Sequence, residues 1–88
     1  MWAVTISKKS EKFLGGLSLS DKNKINEFVD DLVNWPFFKF NWDIKKLKGQ
    51  ENTYRSRVGI NRIIFIIYKK EVHIFIKDIS HRKDAYKK

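Results

Sequence analysis

A chain of 88 residues, 42% hydrophobic and without cysteine, has room for one domain with a modest core, and it excludes disulfides and thiolate metal sites. Its longest apolar run, residues 63–68, is far too short to span a bilayer. The net charge of +9 is spread unevenly: five lysines balance five acids in residues 1–38, whereas seven basic residues face only Asp43 and Glu51 in residues 39–62. Residues 77–88 add five basic residues against two acids. Such segregation favours a polyanion as partner. The opening Met1-Trp2-Ala3-Val4 lacks the basic start and long apolar stretch of a signal peptide, so a cytoplasmic protein without membrane contact is expected.

In chain order, Trp2, Val4 and Ile6 alternate with Ala3, Thr5 and Ser7, which predicts an opening strand. Ser7-Lys8-Lys9-Ser10-Glu11 supplies helix-capping residues, with Phe13, Leu14 and Leu17 as a short apolar stripe and Gly15-Gly16 as its end. A second helix starts within Ser18 to Asp21. Behind it Ile25, Phe28, Val29, Leu32 and Val33 share one face, and Trp35-Pro36 closes it because the residue before proline avoids helical angles. The aromatic-rich residues 37–42 are irregular, their rings assigned to covering the core. Residues 53–58 then alternate, residues 62–68 form an almost continuous apolar run suited to a central strand covered on both faces, and residues 72–79 alternate again. Residues 81–88 read as a short helical tail. The expectation is a single α+β domain over residues 1–88, ordered β-α-α-β-β-β, with a mostly antiparallel sheet and a two-helix hairpin on one face.

Gly59-Ile60 is suited to a two-residue hairpin turn that pairs Val58 with Asn61 and Arg57 with Arg62. Side chains alternate across a strand, so Arg55, Arg57 and Arg62 would share one face, with Tyr54, Ser56, Val58, Asn61, Ile63, Phe65 and Ile67 on the core side. Like charges directly opposite in a sheet destabilise it. A bound anion such as phosphate would explain the cluster through bidentate hydrogen bonds. Pairing with acids elsewhere has little to draw on, because acids are few and most lie in the helical half. A next turn at Lys69-Lys70 would bring Lys77 opposite Arg62 and carry His81 to the arginine face, beside Arg82. Histidine is the usual proton carrier near neutral pH, whereas His73 reads as a partly buried strand residue without a chemical role. With two histidines, no paired carboxylates at ligand spacing and no phosphate-binding glycine loop, neither a metal nor another cofactor is expected. A metal-free RNase needs a proton acceptor for a 2′-hydroxyl, cations around the phosphate and a proton donor. Arginine can fill only the cationic role, since it does not deprotonate in proteins.

Three stretches carry a resemblance: Asp43-Ile44-Lys45-Lys46-Leu47-Lys48-Gly49, Tyr54-Arg55-Ser56-Arg57-Val58-Gly59-Ile60-Asn61-Arg62-Ile63-Ile64-Phe65, and His81-Arg82-Lys83-Asp84-Ala85-Tyr86. In this order they resemble the RelE branch of the RelE/ParE toxin superfamily, over essentially the whole chain. The resemblance implies a toxin that enters the ribosomal A site and cleaves mRNA by 2′-hydroxyl attack, paired with a co-encoded antitoxin. It places Arg55 and Arg57 on the basic strand before the turn, Arg62 on the phosphate-contacting arginine, Arg82 on a second catalytic arginine, and Tyr86 on the tyrosine that stacks on a base. The catalytic set expected is thus Arg55, Arg57, Arg62, His81 and Arg82, with Lys45, Lys46, Lys48, Lys77 and Tyr86 on the RNA. Some relatives have lysines at Arg55 and Arg57, or a carboxylate near Lys45. That leaves His81, or Lys45 or Lys46, as proton acceptor, and His81 is the choice. A ParE-like gyrase inhibitor and a non-catalytic RNA- or ribosome-binding domain are the alternatives. The free toxin is expected to be a monomer.

Overall fold

The computed structural model describes residues 1–81. Their order is β1 (Ala3–Ile6), α1 (Lys8–Gly15), α2 (Leu19–Leu32), β2 (Asp43–Lys46), β3 (Thr53–Val58), β4 (Asn61–Tyr68) and β5 (His73–His81). Both helices start where the capping residues stand: Ser7 Oγ accepts the Ser10 amide at 3.1 Å and Ser18 Oγ accepts the Asp21 amide at 3.2 Å. The strands form one five-stranded sheet in the order β1-β5-β4-β3-β2. All neighbours are antiparallel except β1 and β5, which run parallel. The fold is thus β-α-α-β-β-β-β, one strand more than expected. Among the described residues no helix is long and apolar enough to cross a membrane. The expected helical tail lies outside the described residues.

The core lies between the helices and one sheet face. Ile25, Phe28 and Leu32 of α2 meet Val58, Ile63, Phe65, Ile67, Ile74, Ile76 and Ile79, all at most 2% exposed, and Phe13 and Leu14 of α1 pack against the same cluster. On β4 the residues Asn61, Ile63, Phe65 and Ile67 are buried while Arg62, Ile64 and Ile66 are half-buried. Thus β4 is central but is not enclosed equally on both faces. Among the described residues, the 47–52 loop lies over part of the second face and brings Leu47 and Gln50 beside Ile64.

The Gly59-Ile60 turn forms as expected, with Gly59 at φ 63°, Val58 paired to Asn61 and Arg57 to Arg62. The next turn does not. Four residues, 69–72, join β4 to β5, with Val72 at φ 49° and its amide bonded to the Lys69 carbonyl at 3.2 Å. Tyr68 consequently faces His73 rather than Glu71. Farther along, the register shifts: Phe65 pairs with Ile76 but Ile64 pairs with Asp78, leaving Lys77 as an extra residue on β5. The bulge sits where β1 ends. There the Ser7 amide bonds the Ile76 carbonyl at 3.0 Å and Ser7 Oγ bonds the Lys77 carbonyl at 2.9 Å, as the chain turns into α1.

The aromatic segment after α2 is organised by a buried carboxylate. Asp31, 6% exposed, accepts hydrogen bonds at Oδ2 from the Trp42 indole at 2.7 Å and from the Lys39 and Phe40 amides at 3.1 Å each. Trp42 in turn packs edge-on to Phe28 at 5.2 Å. Burial alone would raise the Asp31 pKa. The Trp42, Phe40 and Lys39 hydrogen bonds and the Lys39 charge outweigh it, so the carboxyl titrates below the ordinary aspartate value. A lowered folded-state pKa stabilises the fold above the unfolded value, and that share is lost as pH falls through the folded one. Asp31→Ala is expected to cost about 2–4 kcal/mol in urea unfolding at pH 7, because three donors lose a charged acceptor. The gap between wild type and variant should narrow below about pH 4.

Candidate nucleic-acid interface

The face of the sheet away from the helices carries two transverse rows of side chains. One row runs Lys45, Arg55, Ile64, Asp78 across β2, β3, β4 and β5; the next runs Asp43, Arg57, Arg62, Ser80. Neighbouring strands lie about 4.8 Å apart, so Arg55, Arg57, Arg62 and Lys45 converge on one patch. This is the shared arginine face that the Gly59-Ile60 turn requires.

Asp43 stands inside that patch. Its Oδ1 lies 3.4 Å from Arg55 Nη1 and its Oδ2 lies 3.9 Å from Arg57 Nη1. The arginines therefore do have an acid at hand, contrary to the expectation from charge distribution: Asp43 begins a strand that the sequence pattern conceals, and it alternates onto the arginine side. The three differ in access. Arg55 is buried, its side chain 7% exposed, while Arg57 is 37% exposed and Arg62 is half-buried. Arg55 Nη1 is near a carboxylate yet has no hydrogen-bond partner. A guanidinium taken out of water and coupled only loosely to its counter-ion is suited to a better-placed anion.

The altered register of β5 moves two expected residues. Lys77 is not opposite Arg62, a place taken by Ser80; it lines a depression of about 450 Å³ on the arginine face with Lys9, Leu47, Gln50, Ile64 and Asp78. His81 pairs with Asn61 and so lies on the helix side of the sheet, not with the arginines. Four residues in the turn instead of two, plus one in the bulge, shift the pairing by an odd number and reverse the face. Lys46 pairs with Tyr54 on the helix side, whereas Lys45 pairs with Arg55 on the arginine side. Lys48 is exposed in the loop after β2. Arg82 and Tyr86 lie outside the described residues. His73 accepts or donates a 2.7 Å hydrogen bond with Thr5 Oγ1 on β1 and stacks on Tyr68, consistent with a part in packing. Among the described residues no group of three or more His, Cys, Asp or Glu could hold a metal ion.

No family model matches the chain. The RelE1 protein of Methanocaldococcus jannaschii, however, is 37% identical over 84 residues, covering 96% of this chain and 93% of that protein. The chain belongs to the RelE-type toxins of the RelE/ParE superfamily. Solved structures agree. RelE from the RelE-RelB complex of the archaeon Pyrococcus horikoshii OT3 superposes with a TM-score of 0.81 at 30% identity, covering 92% of this chain and 94% of that one. RelE from the RelB-RelE antitoxin-toxin complex of Methanococcus jannaschii gives 0.76 at 28% identity over 92% and 93%. This RelE-type chain is therefore a toxin of a toxin–antitoxin system, near the archaeal members.

The unequal access of the arginines predicts unequal stability effects. Asp43→Ala is expected to cost about 1–3 kcal/mol in urea unfolding, since it strips the buried Arg55 of its nearest carboxylate. Arg57→Ala, removing a partly exposed and longer ion pair, is expected to cost less than about 1 kcal/mol.

Proposed function

We propose that this RelE-type toxin inhibits translation as a ribosome-dependent endoribonuclease, cleaving mRNA in the A site by metal-free attack of a 2′-hydroxyl on the adjacent phosphate. The observation that carries this reading is the arginine face: Arg55, Arg57 and Arg62 converge with Lys45 on the sheet face opposite the helices. Arg57 and Arg62 are accessible enough to take the phosphate in charge-assisted hydrogen bonds and to stabilise the charge that grows on it. Arg55, buried beside Asp43, holds the centre of the patch positive. Lys48 and Lys77 flank the face and extend it along the RNA backbone. Arg82 and Tyr86 are assigned by family resemblance to phosphate and base contacts.

The partner that restrains such a toxin is taken to be a cognate antitoxin of the RelB kind, since RelE proteins of P. horikoshii and M. jannaschii are found in complexes with RelB. The free toxin is proposed to be a cytoplasmic monomer.

Incubating the purified protein with mRNA-programmed ribosomes, beside a naked-mRNA control, should give cuts within the A-site codon that are absent without ribosomes. Arg62→Ala should lower the single-turnover cleavage rate by about 10²–10³-fold, the scale for loss of one donor to a developing charge, while still co-sedimenting with ribosomes. Intact mRNA in every sample would refute nuclease action and turn attention to gyrase inhibition or to binding without chemistry.

A further inference from the structure

Among the described residues, the proton acceptor expected from the sequence, His81, does not stand on the arginine face. His81 is on the helix side of the sheet, and Lys45, though on the arginine side, brings a side chain whose ammonium donates hydrogen bonds and accepts none. Arginine cannot serve at all. Among the described residues two carboxylates project from the sheet onto the arginine face, Asp43 and Asp78. Asp43 is enclosed by Arg55 at 3.4 Å and Arg57 at 3.9 Å, so its lone pairs already face guanidinium groups.

Asp78 is placed differently. It lies directly across from Ile64, one step diagonally from Arg62, whose own opposite residue is Ser80. Diagonal neighbours in a sheet are about 7–8 Å apart at Cα, within reach of an arginine and of a phosphate held by it. Its ion-pair partner is Lys9, at 3.4 Å, and the Lys9 side chain is 82% exposed, which makes that pair weak and easily opened. Asp78 Oδ1, the oxygen that faces Lys9, is buried and accepts no hydrogen bond, while the side chain as a whole remains 32% exposed. The carboxylate also lines the 450 Å³ depression, with Ile64 and Leu47 as apolar walls and Lys77 at its side. A depression of that volume falls within the range of small-ligand sites.

We infer that Asp78 is the catalytic base of this toxin, taking the proton of the attacking 2′-hydroxyl while Arg62 holds the neighbouring phosphate. The assignment rests on the nuclease reading. In the step, the 2′-oxygen bonds to phosphorus as the bond from phosphorus to the 5′-oxygen breaks. The hydroxyl proton passes to the Asp78 carboxylate, and the departing 5′-oxygen takes a proton from water. The products are a 2′,3′-cyclic phosphate and a 5′-hydroxyl end. The bulge at Lys77 is what makes this possible. Without the extra residue, alternation would turn Asp78 to the helix side and bring His81 round to the arginines.

The test is single-turnover cleavage of A-site mRNA on programmed ribosomes, with ribosome co-sedimentation and thermal unfolding measured on every variant. Asp78→Asn, nearly isosteric, should slow cleavage by about 10²–10⁴-fold, the range for loss of a general base, while binding and folding are retained. Asp78→Glu should recover part of the rate, and added formate should partly rescue Asp78→Ala by refilling the vacated carboxylate site. Lys9→Ala, which opens the ion pair alone, should lose far less than Asp78→Asn. Equal losses in those two variants would mean that Asp78 acts only through Lys9 and would overturn the assignment. Undiminished cleavage by Asp78→Asn would also overturn it while leaving the nuclease reading intact, and a wild-type protein that cuts nothing would overturn both.

Discussion

The register between β3 and β4 is the constraint from which the rest follows. A two-residue turn with Gly59 in the left-handed region leaves one way to align the strands, and that alignment sorts their side chains without exception. Val58, Ile63 and Phe65 go to the helices and become core; Arg55, Arg57 and Arg62 go to the other side. A strand slipped by a single residue would turn its arginines toward the helices or its phenylalanine away from them. Burial of the apolar set, about 1.5–3 kcal/mol for each large side chain, therefore also sustains a concentration of like charge that the sheet would otherwise resist.

A second organising centre lies at the helix end. Asp31 collects the Trp42 indole and two backbone amides, and so converts an irregular aromatic segment into a fixed path from α2 to β2. That path delivers Asp43 and Lys45 to the arginine face at the sheet edge. A buried acid in the helical half thus positions charged groups on the opposite side of the molecule, through backbone geometry and not through contact.

The helices, the β3–β4 hairpin and the arginine face were legible in the sequence because each is set by local signals: Ser7 and Ser18 as caps, strict alternation, and a glycine turn. What escaped notice depends on distant contacts. Strand β2 offers Ile44 as its one apolar residue and exists because β3 supplies hydrogen-bond partners. The β4–β5 turn places Val72, a β-branched residue, at a positive φ that local preference disfavours. The Lys77 bulge answers to Ser7, at the other end of the domain in sequence. Asp43 and Asp78 went unrecognised as members of the face for the same reason: their side of the sheet is decided by pairings that alternation alone does not reveal.

The parallel pairing of β1 with β5 also bears on how the toxin comes into being. Thr5 and His73, hydrogen-bonded across that junction, are 68 positions apart in the chain. Contacts of such separation form late and slowly, because the intervening loop must be ordered first. A growing polypeptide that has made β1 and both helices holds an unpaired edge and an incomplete core until β5 is synthesised and docks between β1 and β4. On the arginine face, Asp78 and Ser80 take their places only with β5, after the arginines of β3 and β4 have been made. Until β5 is made, the ribosome that makes the chain carries an unfinished sheet, with β1 not yet joined to the β2–β4 strands.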